Sequence, residues 1–296
     1  MKQNKTAAGH LCAFLTILIW GTTFISTKVL LKDFTPVEIL FCRFLLGTAV
    51  LCIVSPRRLR LKNPRQEFTF ACAGLCGVCL YYLLENIALT YTLASNVGII
   101  VSVSPFFVAI LTHLFSNGER LKKRFFLGFV VAVAGIVLIN VNEAGTFQFN
   151  PKGDLLALCA AIVWAAYSLL SKRISSFGYN TIQATRRTFF YGLLFMVPAL
   201  FLFGFSPSVS SFKDPVCVLN LLYLGVGASA LCFVTWNYAV RCLGAVKTSI
   251  YIYLVPVITI VTAVIVLHER LTAVAGVGAV LTLAGLVISE NRKGIQ

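Results

Sequence analysis

One carboxylate stands where a carboxylate is costly. Glu85 lies well inside an apolar run, in the stretch Tyr81-Tyr82-Leu83-Leu84-Glu85-Asn86. At helical spacing Tyr81, Tyr82 and Glu85 share a face, with Asn86 beside it. A charged group at mid-membrane costs at least ~2.5–3.5 kcal/mol unless it faces water or a partner. The pattern therefore points to a wet cavity, in which Glu85 binds a substrate amine or carries a proton. The alternative is a structural carboxylate bonded to a neighbouring helix. Tryptophans add a second signal. Trp20 and Trp164 sit some way into their apolar runs, Trp20 on a stripe with Thr16, Thr23 and Thr27, and Trp164 in the same frame as Tyr167 and Ser171. Far from the interfacial belt that tryptophan usually marks, they read as cavity walls that stack on a flat or apolar part of a solute.

These residues need membrane helices to hold them. The 296 residues are 58% hydrophobic and 12% charged, against ~25% charged in an ordinary soluble domain. The mean hydropathy is +0.89. Apolar runs cover approximately 10–31, 34–54, 68–89, 94–115, 124–141, 154–174, 182–203, 217–240, 246–267 and 272–289. They are continuous, not alternating, so helices and not barrel strands are expected. The N-terminal run is too long for a signal peptide and reads as a retained first span.

The net charge of +15 comes from lysines and arginines in short gaps, as the positive-inside rule requires, and no basic arm suits nucleic acid. Placing the denser set (Lys2, Lys5, Arg57–Lys62, Arg120–Arg124, Lys172, Arg173, Arg241, Lys247, Arg292, Lys293) in the cytoplasm puts both termini there too. An even number of spans demands the same.

The chain repeats itself. Gly9–Lys28 and Gly153–Lys172 share an opening glycine, a tryptophan at the same offset and a closing lysine. Arg43 matches Arg187. Tyr82, Glu85 and Asn86 match Phe233, Trp236 and Asn237. Ala94 matches Ala245, Pro105 matches Pro256, and Glu119-Arg120-Leu121 matches Glu269-Arg270-Leu271. Five spans per half make the second copy enter from the opposite side. The expected fold class is thus an all-α membrane protein of ten transmembrane helices, as two inverted five-helix repeats (9–141 and 153–290) with cytoplasmic N and C termini.

The sequence resembles the EamA-type branch of the drug/metabolite transporter superfamily over nearly its whole length. Trp20 and Trp164, Pro105 and Pro256, the two Glu-Arg-Leu motifs, and Ala134-Gly135 with Ala284-Gly285 carry the resemblance. His268 replaces the glycine that precedes the first Glu-Arg. The resemblance implies a central cavity between the repeats, and export or exchange of small metabolites across a cytoplasmic membrane.

Candidate solute-binding residues are Trp20, Thr23, Tyr82, Glu85, Asn86, Asn96, Trp164, Tyr167, Trp236, Asn237 and Tyr253, with Glu85 also the coupling residue. Pro105 and Pro256 interrupt helix hydrogen bonding in mid-span and serve as gates or as static bends. Arg43, Arg186 and Arg187 read as snorkelling to the interface or pairing with residues such as Glu38; lining the cavity instead, they would favour anionic solutes. No basic residue is then secure in the cavity, which disfavours phosphorylated solutes, and Glu85 is the only deep carboxylate. Glu119 and Glu269 read as local ion pairs with Arg120 and Arg270. Small residues of the fifth and tenth spans (Gly128, Ala132, Gly135; Gly278, Thr282, Gly285) allow close packing or a dimer contact.

No P-loop is present, so direct ATP use is disfavoured. Cys76-Gly-Val-Cys79 lacks a second pair or a histidine, so neither a metal nor a cofactor is expected. Amino acids, amines and related compounds fit one carboxylate among aromatics. An uncoupled permease of cationic drugs or metabolites is the alternative. A membrane-embedded enzyme is more distant, since His10, His113 and His268 lie far apart, and a channel would need a filter or charge ring. The expected partners are a small-molecule substrate and the bilayer, with a monomer or a homodimer both open.

Overall fold

Helix is the only regular structure among the described residues of this computed structural model, which are 2–115, 123–139, 150–208, 211–269 and 272–289. Eight helices are long and apolar enough to cross a membrane. They are α1 (Lys2–Leu30), α2 (Pro36–Val54), α3 (Arg65–Tyr91), α4 (Ala94–Phe115), α6 (Pro151–Ser176), α7 (Thr181–Phe203), α8 (Pro215–Leu243) and α9 (Ala245–Leu267). Two shorter helices, α5 (Lys123–Ile139) and α10 (Ala273–Ser289), have 17 residues each. At ~1.5 Å per residue they reach the lower edge of a span.

Several helices begin on side chains that satisfy their free N–H groups. Thr35 and Glu38 form a reciprocal capping box at α2, with Pro36 as the first helical residue. Asn150, Asn180 and Asp214 cap α6, α7 and α8. The capping box explains Glu38, which is 4% exposed and also accepts from the backbone N–H of Ser206 at 3.0 Å.

Internal breaks fall at matching places in the two halves. α4 turns at Ser102–Val103 before Pro105, and α9 tightens into a 3₁₀ segment, Ile250–Leu254, before Pro256. α3 widens into a π-helical segment at Leu75–Leu80, and α8 does so at Tyr223–Leu231. These two lie directly before the aligned Tyr82–Asn86 and Phe233–Asn237 stretches.

The packing exchanges under the repeat correspondence. α1 packs on α8 and α9, and its counterpart α6 packs on α3 and α4. α2 packs on α8, and α7 on α3. α5 and α10 pack on each other. There the small residues of the two stripes meet within one chain: a Cβ at Gly135 would run into the Gly278 carbonyl, and one at Gly285 into Gly128.

Candidate functional site

Where the central helices converge, aromatic rings fill the core. Trp20 stands edge-on to Trp164 at 5.2 Å between centroids and is tilted against Trp236 at 5.1 Å. Phe233 lies 5.8 Å from Trp20 and 6.1 Å from Trp164. The widened turn of α8 supplies a free acceptor here, as the Trp20 Nε1–H donates to the Ala228 carbonyl at 2.9 Å. π-helical turns release such carbonyls from the regular ladder.

A small cleft of about 30 Å³ opens beside this layer. Its walls come from α1 (Trp20, Thr23, Phe24), α3 (Tyr81, Tyr82, Glu85), α4, α6 (Trp164) and α9. Glu85 is 1% exposed, and its Oε1 has no hydrogen-bond partner among the described residues. Ser104 on α4, next to Pro105, also offers the cleft a hydroxyl without a partner. Aromatic walls, one carboxylate and one hydroxyl are therefore gathered on a common space.

A second small cleft, of about 20 Å³, is lined by Tyr167, Ser171, Thr185, Asn237 and Arg241 among others. Asn237 is its hub. Its Oδ1 accepts from the Tyr167 hydroxyl at 2.9 Å and the Ser171 hydroxyl at 2.7 Å, and its Nδ2 donates to Thr185 Oγ1 at 3.0 Å. By the repeat alignment Tyr167 and Ser171 are counterparts of Thr23 and Thr27. The two clefts thus occupy related places on either side of the aromatic layer.

Trp20, Thr23, Tyr82, Glu85 and Trp164 come together around the first cleft. Tyr167 and Asn237 line the second. Trp236 is fully buried beneath Trp20, and Asn86 is buried with its Nδ2 donating to the Pro36 carbonyl at 3.1 Å. Asn96 and Tyr253 stand apart from both walls. Asn96 donates to Thr92 Oγ1 at 3.2 Å near the start of α4, and Tyr253 packs beside Val103 and Phe106.

Arg43 corrects the sequence reading. Instead of snorkelling or pairing with Glu38, it is fully buried. Its Nε donates to Ser229 Oγ at 3.1 Å, in the π-helical segment of α8. Its guanidinium carbon lies 4.2 Å from the ring centroid of Tyr82, a wall of the first cleft. Nη1 and Nη2 have no hydrogen-bond partner among the described residues, and the charge acts electrostatically on Glu85. The physical reason is local: a flat cation stacks on an aromatic face, and the widened turn of α8 brings a hydroxyl to meet it. Arg187, its repeat counterpart, pairs with Glu67, and Arg186 donates to the Ser55 and Arg57 carbonyls.

Two further acidic residues lie near helix ends. Asp154, in the first turn of α6, is 7% exposed with neither oxygen partnered among the described residues. Glu269 reaches across to α4, where it accepts from the Ala94 N–H at 3.0 Å and the Ser95 hydroxyl at 2.7 Å. Arg270, Glu119 and Arg120 lie outside the described residues.

An "Uncharacterized transporter" of Archaeoglobus fulgidus is 32% identical across 96% of this chain and 98% of its own length. A "Probable terminal-alkyne amino-acid exporter" of Streptantibioticus cattleyicolor is 27% identical across 94% of this chain and 92% of its own. A "Probable amino-acid metabolite efflux pump" of Escherichia coli is 25% identical across 94% and 93%. One crystal structure of a protein 22% identical to this one superposes with a TM-score of 0.68 over 95% of this chain and 96% of that one, showing a shared fold. The sequence profile of the EamA-like transporter family matches residues 7–141 and 151–290. Membrane-length helices, a duplicated architecture and these matches lead to one conclusion: the chain belongs to the EamA-like transporter family.

Proposed function

We propose that the protein is a secondary-active exporter or exchanger of small amine-bearing metabolites, amino acids above all, working by alternating access. In this reading ten helices cross the membrane as two inverted five-helix halves with both termini in the cytoplasm, and the halves rock about the aromatic layer between the clefts. The observation that carries it is Glu85: a buried carboxylate with an unpartnered oxygen, in a cleft walled by Trp20, Trp164, Tyr81 and Tyr82. An ammonium group supplies the missing donor, and the rings take the apolar part of the solute. The buried Arg43 adds a cation with two unused nitrogens behind Tyr82, which favours solutes bearing a carboxylate as well as an amine. The names of the Streptantibioticus and Escherichia relatives point the same way.

A second reading is an uncoupled permease in which Glu85 serves only the solute. The Arg43 charge beside Glu85 favours it, since a balanced charge pair needs no proton. Counterflow in proteoliposomes tests both. Amino acids, their amides and their decarboxylated amines are presented with and without an imposed proton gradient. Saturable exchange of the amino acids supports the proposal, and its stimulation by the gradient selects the coupled form. Exchange of none of these solutes overturns the substrate assignment.

A further inference from the structure

We infer that Lys28 and Glu269 form a latch that closes the first cleft at its outer end by clamping the turn between α3 and α4. The Lys28 ammonium donates to the carbonyls of Leu89 at 2.5 Å and Thr92 at 2.9 Å, the free acceptors at the end of α3. Glu269 accepts from the N–H groups of Ala94 at 3.0 Å and Ser95 at 3.4 Å, and from the Ser95 hydroxyl at 2.7 Å, at the start of α4. Each charge lies on the helix end whose dipole it complements, and the two attract each other across the turn. Asn150, at the head of α6, adds a bond to the Tyr91 carbonyl at 2.6 Å.

The place of this clamp gives it a role. Lys28 follows Thr23 and Phe24 on α1 by about one turn, and Leu89 follows Glu85 on α3 likewise. Ala94 and Ser95 precede Val101 on α4, and Glu269 lies just beyond the end of α9, which carries Ile252 and Val255. The helices that line the cleft are therefore those tied together beyond it. By the positive-inside argument this end faces away from the cytoplasm. The opposite end differs. Lys172 holds the place of Lys28 in the second half, yet its side chain is exposed. Of the two related lysines one is engaged and one exposed; Glu119, the counterpart of Glu269 at that end, lies outside the described residues. Opening the outer end then requires Lys28 and Glu269 to let go of the turn, and the charge-assisted bonds set the cost of doing so.

The test needs no solute, so it stands apart from the substrate proposal. Thr23→Cys is labelled from the outer side of sealed vesicles with a membrane-impermeant thiol reagent, and modification at position 23 is followed by mass spectrometry. Ser171→Cys, in the second cleft, is labelled from the cytoplasmic side in parallel. Adding Glu269→Gln or Lys28→Met should raise the labelling rate at position 23 by about tenfold while lowering it at position 171. An unchanged rate at position 23, or an equal rise at both positions, overturns the latch. Should Glu269→Gln fail to accumulate as folded protein, Ser95→Ala removes one bond only, and it must shift both rates in the same directions by less.

Discussion

At the scale of single residues the site sets a buried anion against a buried cation with an aromatic wall between them. Buried charged groups with unmet hydrogen-bonding atoms cost stability, so such residues are retained for what they do. Glu85→Gln keeps the shape and removes the charge. It should reduce counterflow about 10- to 100-fold while the thermal unfolding midpoint in detergent stays the same or rises. A fall in that midpoint together with intact transport would make Glu85 a structural residue. Arg43→Gln should cost about 10- to 100-fold in the preference for an amino acid over its decarboxylated amine, with Arg43→Lys restoring part of it. An unaltered ratio in both variants would confine Arg43 to packing. Glu85 was visible in the sequence because a carboxylate inside an apolar run breaks the composition around it. Arg43 was not. It stands near the middle of the 34–54 run, too far from either end to snorkel readily, but the groups that receive it, Tyr82 and Ser229, come from other helices and leave no mark around it.

Between residue and whole lie the elements, and the irregular ones matter most. Pro105 and Pro256 announced their breaks, because a residue without an N–H interrupts the ladder wherever it falls. The π-helical turns of α3 and α8 carried no such mark. Leu75–Leu80 and Tyr223–Leu231 are apolar and glycine-containing like much of the chain, and their widened turns are maintained by contacts across the bundle. Gly77 shows the dependence. It sits in the π-helical turn of α3 against the ring of Tyr167 on α6, where a Cβ would overlap the ring. Gly77→Ala should therefore lower stability by about 1–3 kcal/mol through overpacking, against the gain that alanine gives an ordinary helix. Thermal unfolding of the purified variant measures this, and a midpoint at or above that of the parent protein would mean that Tyr167 yields freely. The lysine and glutamate of the α3–α4 turn were in plain sight as isolated residues. What hid their function is that Glu269 bonds a helix start far away in sequence.

On the scale of the molecule the duplication was the most readable feature. It survives in paired residues such as Trp20 with Trp164 and Ala94 with Ala245, and both alanines begin helices. The packing partners of α1 and α6, and of α2 and α7, exchange as two related halves require. Less readable was how the halves divide the interior. The two clefts, the aromatic layer between them and the unequal burial of Lys28 and Lys172 reflect a conformational state, and one sequence serves every state a transporter visits. Alternating access in turn requires the halves to be inserted in opposite senses, and that is the claim on which the functional account rests. Sidedness of labelling tests it directly. Arg58→Cys and Lys152→Cys each place a thiol at an exposed position, in the connection after α2 and at the head of α6. In intact cells an impermeant reagent should modify position 152 and leave position 58 untouched until the membrane is permeabilised. Modification of both from the same side would contradict the inverted arrangement.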